Sequence, residues 1–417
     1  MVVVACGHFN RVGISVAGTE RIIPSGVDPV RMGLIYTAFL AFYTLAMLPG
    51  GWFIDRFGPR VALVFLGFAS ALFVALTGCV GLFFHEPTSL WLGLLVVRSL
   101  LGLVYAPLHP GSARMVADQL PVEARGQANG LVNFSACLGI AATQFVLGAL
   151  IDRFDWQGAL LISSGMTFLV ALLWTVCTRQ AAGSALRNTN RSSSAVEFRQ
   201  IWAILRQKSV IAITISYTAY GYFQYLFFYW ISYYFETIQQ QDRGVARGYV
   251  TWITLAMGVG MLCGGWLISR LPESFSPWAR RGLVPLSCML ASGLVFELGL
   301  MAASPRVTLA AFVLAAGLLG ACEAAFWTTV VELGGAYGGT AAGLMNTGGN
   351  AGGTLSPTVT PLLSSLAAEH YGADLGWRLG LAVAGIIVFA GGGLWWFVCP
   401  ERETEPDQPR PQSSGNV

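Results

Sequence analysis

Charge is the scarcest component of this sequence. Only 11% of its 417 residues are Asp, Glu, Lys or Arg, and Lys208 is the single lysine. So low a charge density excludes the surface of a soluble protein. No basic stripe with interleaved aromatics occurs, so nucleic acid is not expected as a partner, and a net charge of +3 spread over many loops names no other. HExxH, GxSxG and a phosphate loop ending in lysine are all missing, so neither catalysis nor nucleotide drive is supported and no catalytic residue is assigned. The eight cysteines form no CxxC pair and have no histidine at metal spacing; they read as small packing residues, with no metal or cofactor expected. A basic leader is missing too, and Arg11 interrupts the first apolar run, so no cleaved signal peptide is expected. So short a lead-in points to a start upstream of Met1.

What the chain has in quantity is apolar length. Hydrophobic residues make up 55% of it, with 50 glycines and a mean hydropathy of +0.62. Twelve runs of about 20 apolar residues, divided by short charged or Gly/Pro-bearing segments, are what a polytopic helical membrane protein requires. Most arginines fall in the loops of one side, and the other side has about half as many, which puts both termini in the cytoplasm. The expected fold is an all-α membrane protein: twelve transmembrane helices in two pseudo-symmetric six-helix bundles. Residues 1–178 form the first bundle, 179–206 a Ser- and Arg-rich cytoplasmic linker, 207–400 the second bundle and 401–417 a disordered cytoplasmic tail. Two matches at nearly one offset argue for the duplication. Gly50-Gly51-Trp52-Phe53-Ile54-Asp55-Arg56-Phe57 recurs as Gly264-Gly265-Trp266-Leu267-Ile268-Ser269-Arg270-Leu271, and Gly130-Leu131-Val132-Asn133 as Gly343-Leu344-Met345-Asn346.

Arg11 lies inside the first span, where a guanidinium cannot be neutralised and must face the bundle interior. Arg98 is the second intramembrane arginine, and with Gly102, Tyr105 and His109 it falls on one face of the fourth span. With no acid nearby in sequence, the two arginines suit a carboxylate. The alternative is that each pairs with helix-end carbonyls or with a membrane acid, Glu297, Glu323 or Glu332. The seventh span, Tyr217 to Trp230, is aromatic on every face, and Gln224 offers hydrogen bonds from within it. Asn346 and Asn350 are amides in an apolar helix, which bridge helices or bind cargo hydroxyls.

The stretch Gly51-Trp52-Phe53-Ile54-Asp55-Arg56-Phe57-Gly58-Pro59-Arg60 resembles the loop signature of the major facilitator superfamily, G-x-x-x-D-R-x-G-x-R between helices two and three. In that family the loop stabilises one gating state. This gives Gly51, Asp55, Arg56, Gly58 and Arg60 a gating role, with Arg56 and Arg60 pairing acids across the interface of the halves. Gly148-Ala149-Leu150-Ile151-Asp152-Arg153-Phe154 carries a similar string on the opposite face and receives no such role. Within the superfamily the chain resembles the anion:cation symporters of sugar acids, hexuronates and other organic anions. The resemblance rests on Asn10-Arg11-Val12-Gly13-Ile14-Ser15-Val16-Ala17, on Phe39, Tyr43, Pro49, Gly51 and Asp55, on Arg98 to Pro110, and on Gly343 to Gly353 with Pro357. It implies a secondary transporter of a small carboxylate in the inner (plasma) membrane, in contact with lipid and sufficient as a monomer. Substrate contacts would then come from Arg11, Asn10, Tyr43, Arg98, Tyr105, Gln224, Asn346 and Asn350.

Where that family has an acid before the first-helix arginine and a glutamate in helix four, this chain has Asn10 and Tyr105. An amide does not titrate and a phenol titrates too high, so the usual proton route is interrupted. His109 and Glu323 stand at equivalent positions of the two repeats and form a candidate relocated proton pair, the alternative being a static hydrogen bond. A proton or sodium gradient would drive transport. Competing readings are a drug or other solute exporter of the same superfamily, an uncoupled uniporter or exchanger, and a transport-like sensor.

Overall fold

Residues 1–178, 206–271, 274–335 and 338–398 are described by the structure, a computed structural model. The tail at 401–417 and all of the linker but Arg206 lie outside them, as does the side chain of Asp55. Every regular element among the described residues is helical.

Local chemistry sets the breaks. Helix α1 (Val2–Ala17) runs on through a π turn to Ile22. Asp28 caps α2 (Pro29–Leu45) by accepting from the Arg31 amide, and Glu86 caps α4 (Pro87–Tyr105) by accepting from the Thr88 and Ser89 amides. Those two amides hold the exposed Glu86 carboxyl below its ordinary range. Between them α3 (Met47–Phe83) bends at Gly58, whose φ of 82° suits glycine; Pro59 then opens the next rod. Pro107 separates α4 from α5 (Leu108–Gln119). After α6 (Val122–Ala142) and a π turn, α7 (Gly148–Cys177) turns at Asp155, φ 57°, whose carboxylate takes the Trp156 amide at 2.8 Å. The second half comprises α8 (Lys208–Tyr229), continued to Ile238, α9 (Arg243–Ser269), α10 (Pro277–Met301), α11 (Pro305–Gly334), α12 (Gly338–Tyr371) and α13 (Ala373–Gly393).

Cut at Gly58 and Asp155, and joined across the breaks after α1, α2, α4, α6 and α8, these helices make twelve rods, six in each half. Among the described residues seven stretches meet both the length and the hydropathy needed to cross a bilayer. The first rod is too short in its α-helical part, and the second is divided at Ala46.

Packing repeats with the sequence. Rods one and five, two and four, and three and six pair in the first half; seven and eleven, eight and ten, and nine and twelve pair in the second. One contact shows the register. A Cβ added to Gly139 would lie 2.1 Å from the Ala5 carbonyl oxygen, and one added to Gly352 would lie 2.0 Å from that of Thr218, each residue 213 positions further on. Each half has its own apolar core, and that of the first half takes in Tyr225, Tyr229, Trp230, Tyr233 and Trp377 of the second. The halves are therefore sealed together at the face where rods one and two connect, opposite the face of Met1.

Candidate functional site

Arg11 lies at the seam of the halves. It is 5% exposed, donates to the Tyr225 hydroxyl of α8, and is covered by the rings of Phe39, Tyr43 and Tyr225 at 5.6, 5.1 and 5.1 Å from their centroids. Aromatic faces complement a guanidinium, yet they leave its charge uncancelled. Among the described residues no carboxylate pairs with it. Glu332 pairs with Arg281; Glu323 accepts from Tyr217 at 2.9 Å and Trp327 at 2.8 Å; the buried Glu297 Oε1 has no partner.

Arg98 is held differently, by its two terminal nitrogens, while its Nε is buried without a partner among the described residues. Its guanidinium donates to the Arg11 carbonyl at 2.8 Å and the Asn10 carbonyl at 3.4 Å, and lies over Phe39 at 5.1 Å. Tyr105 donates to the Gly7 carbonyl at 3.0 Å, and His109 meets His8, Nε2 to Nε2, at 2.9 Å. Of the face that the spacing predicts on the fourth rod, Arg98, Tyr105 and His109 form a polar ladder against α1, while Gly102 approaches the Phe39 backbone of α2. Asn10 turns the other way, donating to Thr167 at 2.6 Å and accepting from Ser163 at 2.5 Å, so it ties rod one to rod six.

The second half contributes groups with weaker attachments. Among the described residues Asn350 and Asn346 reach only the Met47 sulfur, at 3.4 and 4.0 Å across the seam. Gln224 contacts the Tyr220 hydroxyl at 3.4 Å and the Met257 sulfur at 3.6 Å. Tyr43 lends Arg11 its ring, and its hydroxyl carries no hydrogen bond among the described residues. The structure thus brings Arg11, Tyr43 and, through Met47, the two asparagines to the seam, and holds Asn10, Arg98 and Tyr105 within the first bundle. His109 and Glu323 are not joined, because His8 takes the one and Tyr217 with Trp327 the other.

In the loop after rod two, Arg60 donates to the Thr178 hydroxyl at 3.0 Å and the Thr175 carbonyl at 3.1 Å, and so finishes the end of α7 within its own half. Arg56 is exposed beside the rings of Trp52 and Phe57. Among the described residues neither arginine pairs with an acid of the other half. Gly51 has open space around it.

Two features escaped sequence reasoning. Tyr225 is one ring in an aromatic run, yet it stands 214 positions after Arg11, and adding the repeat offset to Arg11 would have found it. The second is an ion triad on the sealed face: Arg247 holds Glu20 at 2.7 Å and Asp152 at 2.6 Å. Asp152 belongs to the string that the sequence reading left without a gating role, and here it bridges the halves.

Two repeated bundles meeting over a buried arginine define a polytopic membrane protein of the pseudo-symmetric two-bundle class. The chain belongs to the Major Facilitator Superfamily, whose family model matches residues 1–357. It is 26% identical over 298 residues to the probable galactarate/D-glucarate transporter GudP of Escherichia coli K12, covering 64% of this chain and 65% of that one. To the protein of that name in Bacillus subtilis 168 it is 32% identical over 172 residues, 41% of this chain and 37% of that one. To the probable sulfoacetate transporter SauU of Cupriavidus necator it is 26% identical over 363 residues, 82% and 80%. The chain thus spans less than two thirds of the two GudP relatives in these matches. Among solved structures, a bacterial homologue of the human lysosomal transporter Spinster, inward-facing and occupied, superposes with a TM-score of 0.76 at 15% identity over 95% of this chain and 94% of that one. The D-xylose-proton symporter gives 0.70 at 14% identity, over 96% and 98%.

Proposed function

We propose that the protein is a secondary carrier, not an enzyme, of a small organic anion: a sugar acid or another carboxylate. One observation carries the reading. Arg11 is a buried guanidinium at the seam of two rocking halves with no carboxylate on it among the described residues, so its charge is available to a cargo. The weakly held amides of Asn346 and Asn350 suit cargo hydroxyls on the facing wall. The names of the relatives, probable transporters of galactarate/D-glucarate and of sulfoacetate, support the same cargo class. The bacterial relatives support an inner-membrane location and arginine placement supports cytoplasmic termini, which makes the sealed face external. A proton or sodium gradient supplies the drive, and one chain holds every group the site needs.

Uptake of labelled D-glucarate into vesicles tests this. Arg11→Gln is expected to weaken saturable uptake by roughly 10- to 100-fold, the loss of one charge-assisted hydrogen-bonding partner. Anion uptake indifferent to Arg11→Gln, or cationic dye efflux in its place, would sink the reading.

A further inference from the structure

The ladder between rods one and four ends in two imidazoles. His8 and His109 meet Nε2 to Nε2 at 2.9 Å, with ring centroids 5.0 Å apart and planes at 62°. His8 is 7% exposed and its Nδ1 is buried without a partner; His109 is half-buried. A ring-to-ring bond requires one Nε2–H to donate to the other bare Nε2, so the donor keeps a bare Nδ1. With His109 as donor, that nitrogen is on the ring nearer water. A proton added there leaves the N–H···N bond intact and gives the pair one positive charge.

The surroundings set when this happens. Arg11 lies one turn along from His8 on the same face of α1. From rod four, Tyr105 is bound to the Gly7 carbonyl and Arg98 to the carbonyls of Asn10 and Arg11. On α1 itself, the Cys6 thiol is bound to Thr167 of rod six. From rod seven, Tyr225 is bound to Arg11. No described carboxylate hydrogen-bonds or ion-pairs with the imidazoles. A cationic imidazole pair beside a bare guanidinium is repelled, whereas beside a guanidinium carrying an anion it is not.

We propose that His8 and His109 form a proton-binding site coupled to the cargo: an anion at Arg11 recruits one proton from water to the imidazole pair, and the proton in turn favours the anion. The coupling is reciprocal by thermodynamic necessity. It replaces a carboxyl as proton carrier in a chain that has Asn10 on rod one and Tyr105 on rod four, and it rests on the anion reading of Arg11.

Two measurements on the full chain decide it. The first is calorimetric binding of D-glucarate near neutral pH in buffers of different protonation enthalpy. Wild type is expected to take up about one proton per anion, and His8→Gln and His109→Gln to bind the anion with that uptake abolished. Binding with no proton uptake, or uptake unchanged in both variants, overturns the site and leaves the cargo reading standing. The second needs no cargo: magnetic resonance of labelled histidine at about pH 6.5 in wild type and Arg11→Gln. Loss of the arginine charge is expected to raise the protonated fraction of both rings, and an unchanged fraction overturns the coupling. Absence of D-glucarate binding counts against the cargo alone, and the second measurement then decides the site.

Discussion

Arg11 and Arg98 are both buried guanidiniums within one bundle, and what they donate to separates their roles. Arg98 uses two nitrogens on α1 carbonyls, so it is a strut; Arg11 has a phenol and three ring faces, so its charge remains unspent. Arg98→Gln is expected to lower stability by roughly 1.5–3 kcal/mol, the worth of hydrogen bonds to a charged group, read as a lower Tm of the full chain in detergent. Arg11→Gln is expected to leave Tm unchanged or raise it, because it removes an uncompensated buried charge. An equal fall in both variants would make Arg11 a strut as well. Sequence marked both residues, since an intramembrane arginine stands out in any apolar run. It did not separate them, because Asn10 faces rod six and Arg98 faces rod one only after three rods have packed.

At the scale of elements, rods two and eleven carry a direct polar contact between the halves. Thr37 donates to the Thr354 carbonyl at 2.7 Å and its hydroxyl meets that of Thr358 at 2.8 Å. If the halves rock apart here during transport, a covalent tie must stop the cycle. Thr37→Cys with Thr358→Cys is expected to cross-link under mild oxidant and to halt uptake until reduced. A cross-linked carrier that still transports at full rate would refute separation of these rods. Element positions were legible beforehand: the twelve apolar runs correspond to the twelve rods, and the repeat offset recurs in the Gly139 and Gly352 approaches. The breaks fell between those runs, and only their geometry was hidden. Gly58 announced itself next to Pro59, but the turn at Asp155 uses a non-glycine residue at positive φ and so left little trace in composition. In the loop after rod two, the contact that a string of residues does not show is that of Arg60, which finds the end of α7 in this state.

For the whole molecule, the sealed face depends on Arg247. Its guanidinium gives one fork to each of two acids of the other half, Glu20 at 2.7 Å and Asp152 at 2.6 and 3.0 Å. The acids differ in how much they need it: the Glu20 side chain is 0% exposed and that of Asp152 51%. Removing the arginine therefore strands a carboxylate in a dry seam, whereas removing Asp152 takes away a partner that water replaces. Arg243 closes over the same corner, pairing with Glu236 and reaching the Glu20 carbonyl, but it lies at the rim. The population of the sealed state should thus fall in the order Arg247→Gln, then Glu20→Gln, then Asp152→Asn. A loss of about 3 kcal/mol for the first is more than a hundredfold in a two-state ratio, enough to open a face that is otherwise shut. Spin labels at Ser25→Cys and Thr237→Cys, exposed on that face in opposite halves, read the outcome as a longer and broader distance distribution. Distances unchanged in Arg247→Gln would mean that the aromatic seam of Tyr36, Tyr229 and Trp230 seals the face alone, with the triad only decorating its rim.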